Sequence, residues 1–327
     1  MITARSLFRR FLRQWEWTLV LLLVLVFAIN SRLSPHFLDL RNLLDSTLHF
    51  TEKGIIALSM TLVVISGNID LSVASTMAMS AAVMGVAYRG GVAMWLAVLL
   101  CLATGMCGGL FNGLVITRFK LPAIVVTLGS YSLFRGIAYV LLGNKAITGY
   151  PYQFAELGQG YLGQTPVPNQ LVIFAVLAVV FGMLLHRTTF GRFIYAMGNN
   201  EATCRYSGVP VDRIKLILFT LSGLMSSFAA VLLTSRIYST RPNIAQGFEL
   251  EVVTAVVLGG VTITGGSGNM LGVVLSLFLI GFARFGMSLL NIPGQVMTVV
   301  IGALLIVAIL LPRMLSQIAD RAEGQSV

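Results

Sequence analysis

Long apolar runs constrain this chain more than any other feature of its sequence. Ten such runs lie near residues 17–35, 48–66, 70–88, 93–116, 122–143, 169–186, 215–235, 249–263, 269–290 and 295–311. A helix needs about 20 apolar residues to cross a hydrocarbon core of roughly 30 Å. Because only 10% of the residues are charged, too few to cover a water-facing surface, the sequence predicts an all-α, polytopic membrane protein of about ten transmembrane helices.

The positive charges predict how these helices are oriented. With a cytoplasmic amino terminus, the inner segments carry Arg5, Arg9, Arg10, Arg13, Arg118, Lys120, Arg187, Arg192, Arg205, Arg213, Lys215, Arg313 and Arg321. The outer segments carry only Arg32, Arg41, Arg89, Lys145, Arg236 and Arg241. Since cytoplasmic loops are enriched in Lys and Arg, we expect both termini to be cytoplasmic. We expect one permease domain at 17–315, between a basic segment at 1–16 and a tail at 316–327.

Glycines interrupt two of the predicted membrane regions. Gly67 divides the region near 48–86, and five glycines at positions 259, 260, 265, 266 and 268 divide the region near 249–290. These regions are either broken helices or re-entrant segments, and the sequence does not choose between them. Asp70 follows the first break, where we expect it to cap a helix that starts at Leu71. If the span is broken, Asn68, Asp70 and Ser72 would instead line a transport path.

The longest predicted cytoplasmic loop, at about 187–214, contains the pattern of a short capped helix. Asn199 or Asn200 can accept hydrogen bonds from the first backbone N–H groups, and Glu201 suits the positive helix start. Gly208 can adopt the left-handed conformation that ends a helix. A helix of two turns is marginal in water, so it needs a surface to lie against. The segment is either a docking site for a soluble partner or a solvated connector.

Four ordered motifs in the chain resemble the permeases of ABC importers of the ribose, xylose, rhamnose and autoinducer-2 type. The motifs are GNIDLSVAS at 67–75, LPAIVVTLG at 121–129 with RG at 135–136, ELE and AVVLGG within 249–260 with GGSG at 265–268, and the loop from 191 to 209. The chain departs from the family pattern at Asn68, Ala74 and Cys204. The likeness extends over nearly the whole length.

This resemblance implies a function and a set of partners. It implies the permease subunit of a bacterial inner-membrane importer for a small sugar or sugar-like molecule, acting with a separate ABC ATPase subunit, a periplasmic sugar-binding protein and a second permease, identical or homologous. It predicts contact with the lipid bilayer and no nucleic acid. The residues that it implies for ATPase coupling are Arg192, Gly198, Asn199, Asn200, Glu201, Ala202, Arg205, Ser207 and Gly208.

Several polar and aromatic residues are candidates for lining the transport path. They are Asn68, Asp70, Ser72, Asn112, Thr127, Tyr131, Phe134 and Glu249. Packing is the alternative role for the aromatic rings, and a hydrogen bond to a neighbouring helix is the alternative for Asn112. Gly105, Gly109 and Gly113 recur every four residues, a spacing that lets another helix backbone approach closely. We expect Arg135 and Arg284 to pair between helices or to extend towards an interface, with contact to the substrate as the alternative.

Catalytic motifs are missing from the sequence. No GxxxxGK[ST] loop is present, so we do not expect this chain to hydrolyse ATP itself. Cys101, Cys107 and Cys204 lack the spacing of a zinc site, and packing is the expected role of each. We therefore predict no catalytic residue, metal site or cofactor. An ion-coupled secondary transporter or a channel that works alone is the alternative function.

Overall fold

A computed structural model describes residues 15–303 and residue 306 of the chain. The predicted tail at 316–327 and all but the last two residues of the basic segment at 1–16 lie outside these residues. Within the described part every regular element is helical, and the extended segments form only two isolated bridges, Ile147 with Thr240 and Tyr161 with Pro168. The predicted all-α class is confirmed.

The helices follow one another along the chain with short connections. They are α1 (Trp15–Leu33), α2 (Leu40–Ser46), a 3₁₀ turn (Thr47–His49), α3 (Thr51–Ile65), α4 (Val73–Arg89), α5 (Met94–Phe119), α6 (Ala123–Leu142), α7 (Tyr152–Gln159), α8 (Asn169–Arg187), α9 (Thr189–Asn199), α10 (Glu201–Tyr206), α11 (Val211–Ile237), α12 (Phe248–Leu258), α13 (Met270–Leu289) and α14 (Gly294–Ala303).

Six of these helices are long and apolar enough to cross a membrane, namely α1, α5, α6, α8, α11 and α13. A seventh span results if α2, the 3₁₀ turn and α3 count together, which are bent by 55°. The helices in the other predicted spans are shorter: α4 has 17 residues and α12 has 11. The chain is therefore a multi-span helical protein in which some apolar helices are too short to cross a bilayer on their own.

The centre of the fold is built around α3, α4 and α11. Nearly every side chain of α3 and most of those of α4 are buried, and α11 has a long buried stretch in its second half. Helices α5, α6 and α8 instead expose much of their apolar surface, including Trp95, Val140 and Val179. Exposed apolar side chains on long helices suit contact with lipid, so the helices are arranged as a central group with an outer layer.

Helices α5 and α11 approach each other more closely than ordinary side chains allow. A Cβ atom added at Gly109 would overlap the carbonyl oxygen of Phe219, and one at Gly105 would overlap Ser227. At Gly113 the added atom would lie 3.1 Å from the Cα atom of Leu216. The backbones of α5 and α11 are therefore in contact along the row of three glycines.

The connections gather at two ends of the molecule. We call the end that holds α9 and α10 the α9 pole. The break between α3 and α4, the connection between α5 and α6, and the glycine-rich segment after α12 meet there. We call the other end the α7 pole. It holds α2, the 3₁₀ turn, α7 and the end of α11, which are linked by hydrogen bonds of Tyr161, Gln159 and Arg236.

Candidate functional site

The α9 pole contains two short helices where the sequence predicted one. The second, α10, has the predicted cap: Asn200 accepts a hydrogen bond from the backbone N–H of Thr203 at 2.9 Å, and Gly208 has φ of +82°. The first, α9, is an additional helix of 11 residues whose buried face includes Ile194 and Met197. Thr188 caps it by accepting from the backbone N–H of Gly191.

Helix α9 lies against the chain's own backbone. A Cβ atom at Gly198 would overlap the carbonyl oxygen of Ile65 and the backbone nitrogen of Gly266. The hydroxyl of Tyr195 donates a hydrogen bond of 2.7 Å to the carbonyl oxygen of Gly268. The Ile65 carbonyl oxygen also accepts from the Gly266 N–H at 2.8 Å. Gly198 therefore sits at a junction of α9, the end of α3 and the glycine-rich segment.

Charged side chains attach α10 to the start of α11. Arg205 donates hydrogen bonds to Asp212, with Nη1 2.9 Å from Oδ2, and Lys215 Nζ lies 2.6 Å from Glu201 Oε2. Burial raises the pKa of the Glu201 carboxyl, but hydrogen bonds and charge from Lys215 and Arg205 outweigh it and hold this pKa below its usual value. The pKa of Arg205 is raised, chiefly by its hydrogen bond to Asp212. Both shifts favour the charged forms of Glu201 and Arg205.

The opposite face of α10 is open to solvent. Tyr206 is 93% exposed, and Ala202, Thr203, Ser207 and Gly208 are exposed beside it. An aromatic side chain with so much free surface is typical of a residue that contacts a partner, because aromatic rings are enriched at protein interfaces. Arg192 and Asn199, on α9, are also exposed.

Asp70 occupies a buried hydrogen-bonded cluster between helices. Its Oδ1 accepts from the backbone N–H of Ser72 at 2.9 Å and from the hydroxyl of Ser72 at 2.6 Å. Its Oδ2 accepts from the hydroxyl of Ser222 at 2.8 Å, and the Asn112 amide donates to the Ser72 oxygen at 2.8 Å. The cluster thus connects α11, α5 and the chain before α4.

The predicted helix start at Leu71 is wrong. Helix α4 begins at Val73, and Ser72 occupies the capping position without a side-chain cap bond. The Asp70 carboxylate turns inward because it finds hydroxyl donors there, and Asp70 is only 2% exposed. No Lys or Arg within the described ranges forms an ion pair with it.

The other residues predicted to line a path lie in separate places. Asn68 donates to Ser66, and Thr127 lies near the carbonyl oxygen of Ile69 at 3.3 Å, so both adjoin the break after α3. The remaining three candidates are elsewhere: Tyr131 beside Arg135, Phe134 against the ring of Phe111, and Glu249 at the start of α12.

The two arginines within predicted spans find partners in the chain. Arg135 donates to the backbone carbonyl oxygens of Pro242, Ile244 and Ala74. Arg284 pairs with Glu251 at 3.0 Å. Among the cysteines, Cys101 and Cys204 are buried as packing predicts, whereas Cys107 is exposed because it lies on the outer face of α5.

Sequence reasoning missed three residues that complete these sites. Ser222 gives no signal in an apolar helix, since a lone serine there usually bonds to its own backbone. Glu251 and Lys53 were not predicted to be site residues, although they form an ion pair of 2.6 Å. A charge placed within an apolar run is the signal that could have identified both.

A polar cavity of ≈ 570 Å³ lies between α10 and the break after α3. Asn68 and Ile69 line one side, Thr117 and Lys120 at the end of α5 line another, and the ion pairs of α10 and α11 close it. The cavity therefore connects the surface of the α9 pole with the segment that leads to Asp70.

A transport protein is the class that this arrangement defines: a bundle of apolar helices with broken segments, buried polar groups and a charged pole. The chain belongs to the family described as the branched-chain amino acid transport system / permease component, which matches residues 42–309. It is a multi-span membrane permease.

Its curated relatives include import permeases. The autoinducer 2 import system permease protein LsrD of Escherichia coli (strain K12) and that of Shigella flexneri are each 39% identical to this chain over 301 residues. The alignment covers 90% of this chain and 91% of each relative. No solved structure matches the chain.

Proposed function

We propose that this chain is the membrane-spanning subunit of an ATP-driven ABC importer in a bacterial inner membrane, and that its cargo is a small sugar-like molecule. The observation that carries the proposal is the near full-length likeness to permeases of an autoinducer 2 import system. The family description names branched-chain amino acids. We assign the cargo to the sugar-like class because the relatives that match this chain almost end to end are permeases of an autoinducer 2 import system.

The proposed topology has ten membrane passages with both termini in the cytoplasm. Helices α4, α12 and α14 would supply passages in addition to those of the longer helices, with their short lengths completed by the neighbouring irregular segments. The α9 pole is then cytoplasmic and the α7 pole periplasmic. The excess of Arg and Lys on the segments assigned to the inside supports this orientation.

We assign the exposed face of α10, with the end of α9, as the docking site of the ATPase subunit. Tyr206 and the small residues beside it provide a free surface, while the ion pairs to α11 hold the helix in place from behind. Closure of the ATPases would move α10, and Gly198 would pass the movement to α3 and to the glycine-rich segment. The polar cavity beside α10 is the proposed exit for the cargo.

If α10 is the docking site, removal of the exposed Tyr206 ring should weaken binding of the ATPase subunit to the permease. Tyr206→Ala should lower co-purification of the ATPase subunit at least tenfold, because interface aromatics often contribute 2 kcal/mol or more. Tyr152→Ala is the matched control, since Tyr152 is 79% exposed at the α7 pole. Pull-down of the ATPase from membranes that contain equal amounts of each permease variant measures the effect. Equal recovery with both variants would contradict the docking assignment.

One observation favours the alternative function of an ion-coupled transporter. Asp70 is a buried carboxylate without an ion-pair partner in the described part of the chain, and such residues serve as proton or ion relays in that class. Its bonds to Ser72 and Ser222 account for it equally well as a link between helices. Whether transport requires ATP separates the two functions.

A further inference from the structure

A second cavity, of ≈ 430 Å³, opens at the α7 pole between α2, α3, α12, α13 and α14. Its volume falls within the range of small-molecule sites, which is roughly 300–1,000 Å³. Apolar side chains form much of its wall, including Phe50, Leu277 and Phe285. It is separate from the polar cavity of the α9 pole, with which it shares no lining residue.

Three charged side chains from three helices meet in this cavity. Glu251 on α12 binds Lys53 of α3 at 2.6 Å through one oxygen and Arg284 of α13 at 3.0 Å through the other. The Arg284 Nε is buried without a hydrogen-bond partner within the described residues. Charges at such positions among apolar helices are costly and usually face a functional cavity.

A second carboxylate, Asp45, and the ring of His49 also line the cavity. Asp45 lies at its rim and accepts a hydrogen bond of 2.9 Å from the hydroxyl of Tyr161. Two carboxylates, Asp45 and Glu251, thus offset the two cations Lys53 and Arg284. A balanced wall of donors and acceptors suits a ligand without net charge, because no counter-ion has to be supplied.

Hydroxyl groups fit this wall better than ionic groups do. A hydroxyl can accept from Arg284 or Lys53 and donate to Glu251, so it can join the existing network without breaking the ion pairs. A zwitterionic amino acid would have to separate Glu251 from its cations to find a full counter-charge for each end. The rings of Phe50 and Phe285 offer apolar surface for the C–H face of a compact ligand.

We propose that this cavity binds the transported molecule, as an uncharged polyhydroxylated compound, before it crosses towards the α9 pole. The assignment rests on the proposed function and gives it a place and a ligand chemistry. Glu251 is then the central acceptor, with Lys53 and Arg284 as donors.

Cysteine protection tests the site directly in the complete importer. Ser288 lines the cavity and is exposed, so Ser288→Cys in a Cys107→Ser background should react with a membrane-impermeant maleimide added from the α7-pole side. The matched control is Thr298→Cys, which is exposed nearby on α14 but does not line the cavity. The probes are autoinducer 2, ribose and leucine at saturating concentration.

We expect the sugar-like probe that the wild-type importer takes up to slow labelling of Ser288→Cys several-fold and to leave Thr298→Cys unchanged. Equal labelling with and without that probe, while wild-type uptake is intact, would overturn the site and leave the proposed function standing. Protection by leucine in place of the sugar-like probes would overturn the ligand class. Wild-type uptake of neither autoinducer 2 nor ribose would overturn the proposed function and this inference with it.

Two tryptophan variants, one that fills the cavity and one that does not, provide a second measurement that does not depend on labelling. Ser288→Trp should raise the KM for uptake at least tenfold, whereas Thr298→Trp should leave KM within twofold of the wild type. Both variants must first reach the membrane in equal amount. An unchanged KM for Ser288→Trp would overturn the site.

Discussion

The buried carboxylate of Asp70 accepts hydrogen bonds from uncharged groups. A buried carboxylate costs several kcal/mol unless donors surround it, and here the donors are the backbone and hydroxyl of Ser72 and the hydroxyl of Ser222. Ser222 is 152 positions away in the sequence. The carboxylate therefore fixes the distance between α11 and the start of α4.

Loss of this carboxylate should destabilise the permease. Asp70→Leu leaves two hydroxyl groups and one N–H without an acceptor, and an unsatisfied buried group costs about 1–3 kcal/mol. Ser222→Ala leaves only the Asp70 Oδ2 atom without its donor and should cost less, about 1–3 kcal/mol for that single group. Thermal unfolding of the purified permease in detergent should therefore give the order wild type, Ser222→Ala, Asp70→Leu for decreasing Tm. A Tm for Asp70→Leu at or above that of Ser222→Ala would contradict this role.

At the scale of elements, the contact between α5 and α11 depends on the absence of side chains. The spacing of Gly105, Gly109 and Gly113 places all three on one face of α5, and that face meets the backbone of α11. Gly223 contributes from the other side, since a Cβ atom there would overlap the carbonyl oxygen of Gly105. Without lipid-driven attraction between helices, such close packing supplies much of the association energy.

A single methyl group added to α5 at Gly109 should force α5 and α11 apart. Gly109→Ala is expected to lower stability by about 1–3 kcal/mol through overpacking, despite the better helix propensity of alanine, which favours it by up to about 1 kcal/mol. Gly129→Ala is the control, because a Cβ at Gly129 has nothing within 4 Å. Thermal unfolding of both variants measures the difference. Equal Tm values would contradict close contact at Gly109.

The ion pairs that attach α10 to α11 through Glu201 should lose their stabilising effect at low pH. The folded pKa of Glu201 is lowered, so its ion pairs add stability above its unfolded pKa of about 4.3 and lose it as pH falls through the lower folded value. The Tm difference between the wild type and Glu201→Gln should thus be constant from pH 8 to about 5 and shrink below about pH 4. A difference that instead shrinks between pH 8 and 6 would contradict this account.

The sequence predicted the apolar helices and the cap at α10, because hydropathy and capping are local properties. It did not predict α9, which packs not only on the preceding α8 but also on α3 and α11, helices that lie farther away along the chain. For the same reason it did not bring Ser222 to Asp70, or Lys53 to Glu251. Contacts between helices far apart in the chain depend on packing, and no local pattern records them.

At the scale of the whole molecule, the two poles have different chemistry. The α9 pole presents an exposed helix, a glycine junction and a polar cavity, whereas the α7 pole has a cavity with a central ion triad. The buried Asp70 cluster joins α11, which runs between the poles, to α4 and α5. Such a layout suits a permease in which a partner at one pole controls access at the other.

ATP-dependent uptake is the measurement that tests the central claim most directly. The permease is reconstituted in vesicles either alone or with its second permease, ATPase subunit and binding protein, and uptake of labelled autoinducer 2 and ribose is followed. We predict uptake of at least one probe only in the complete assembly and only with ATP. Robust uptake by this chain alone, driven by an ion gradient, would contradict the claim.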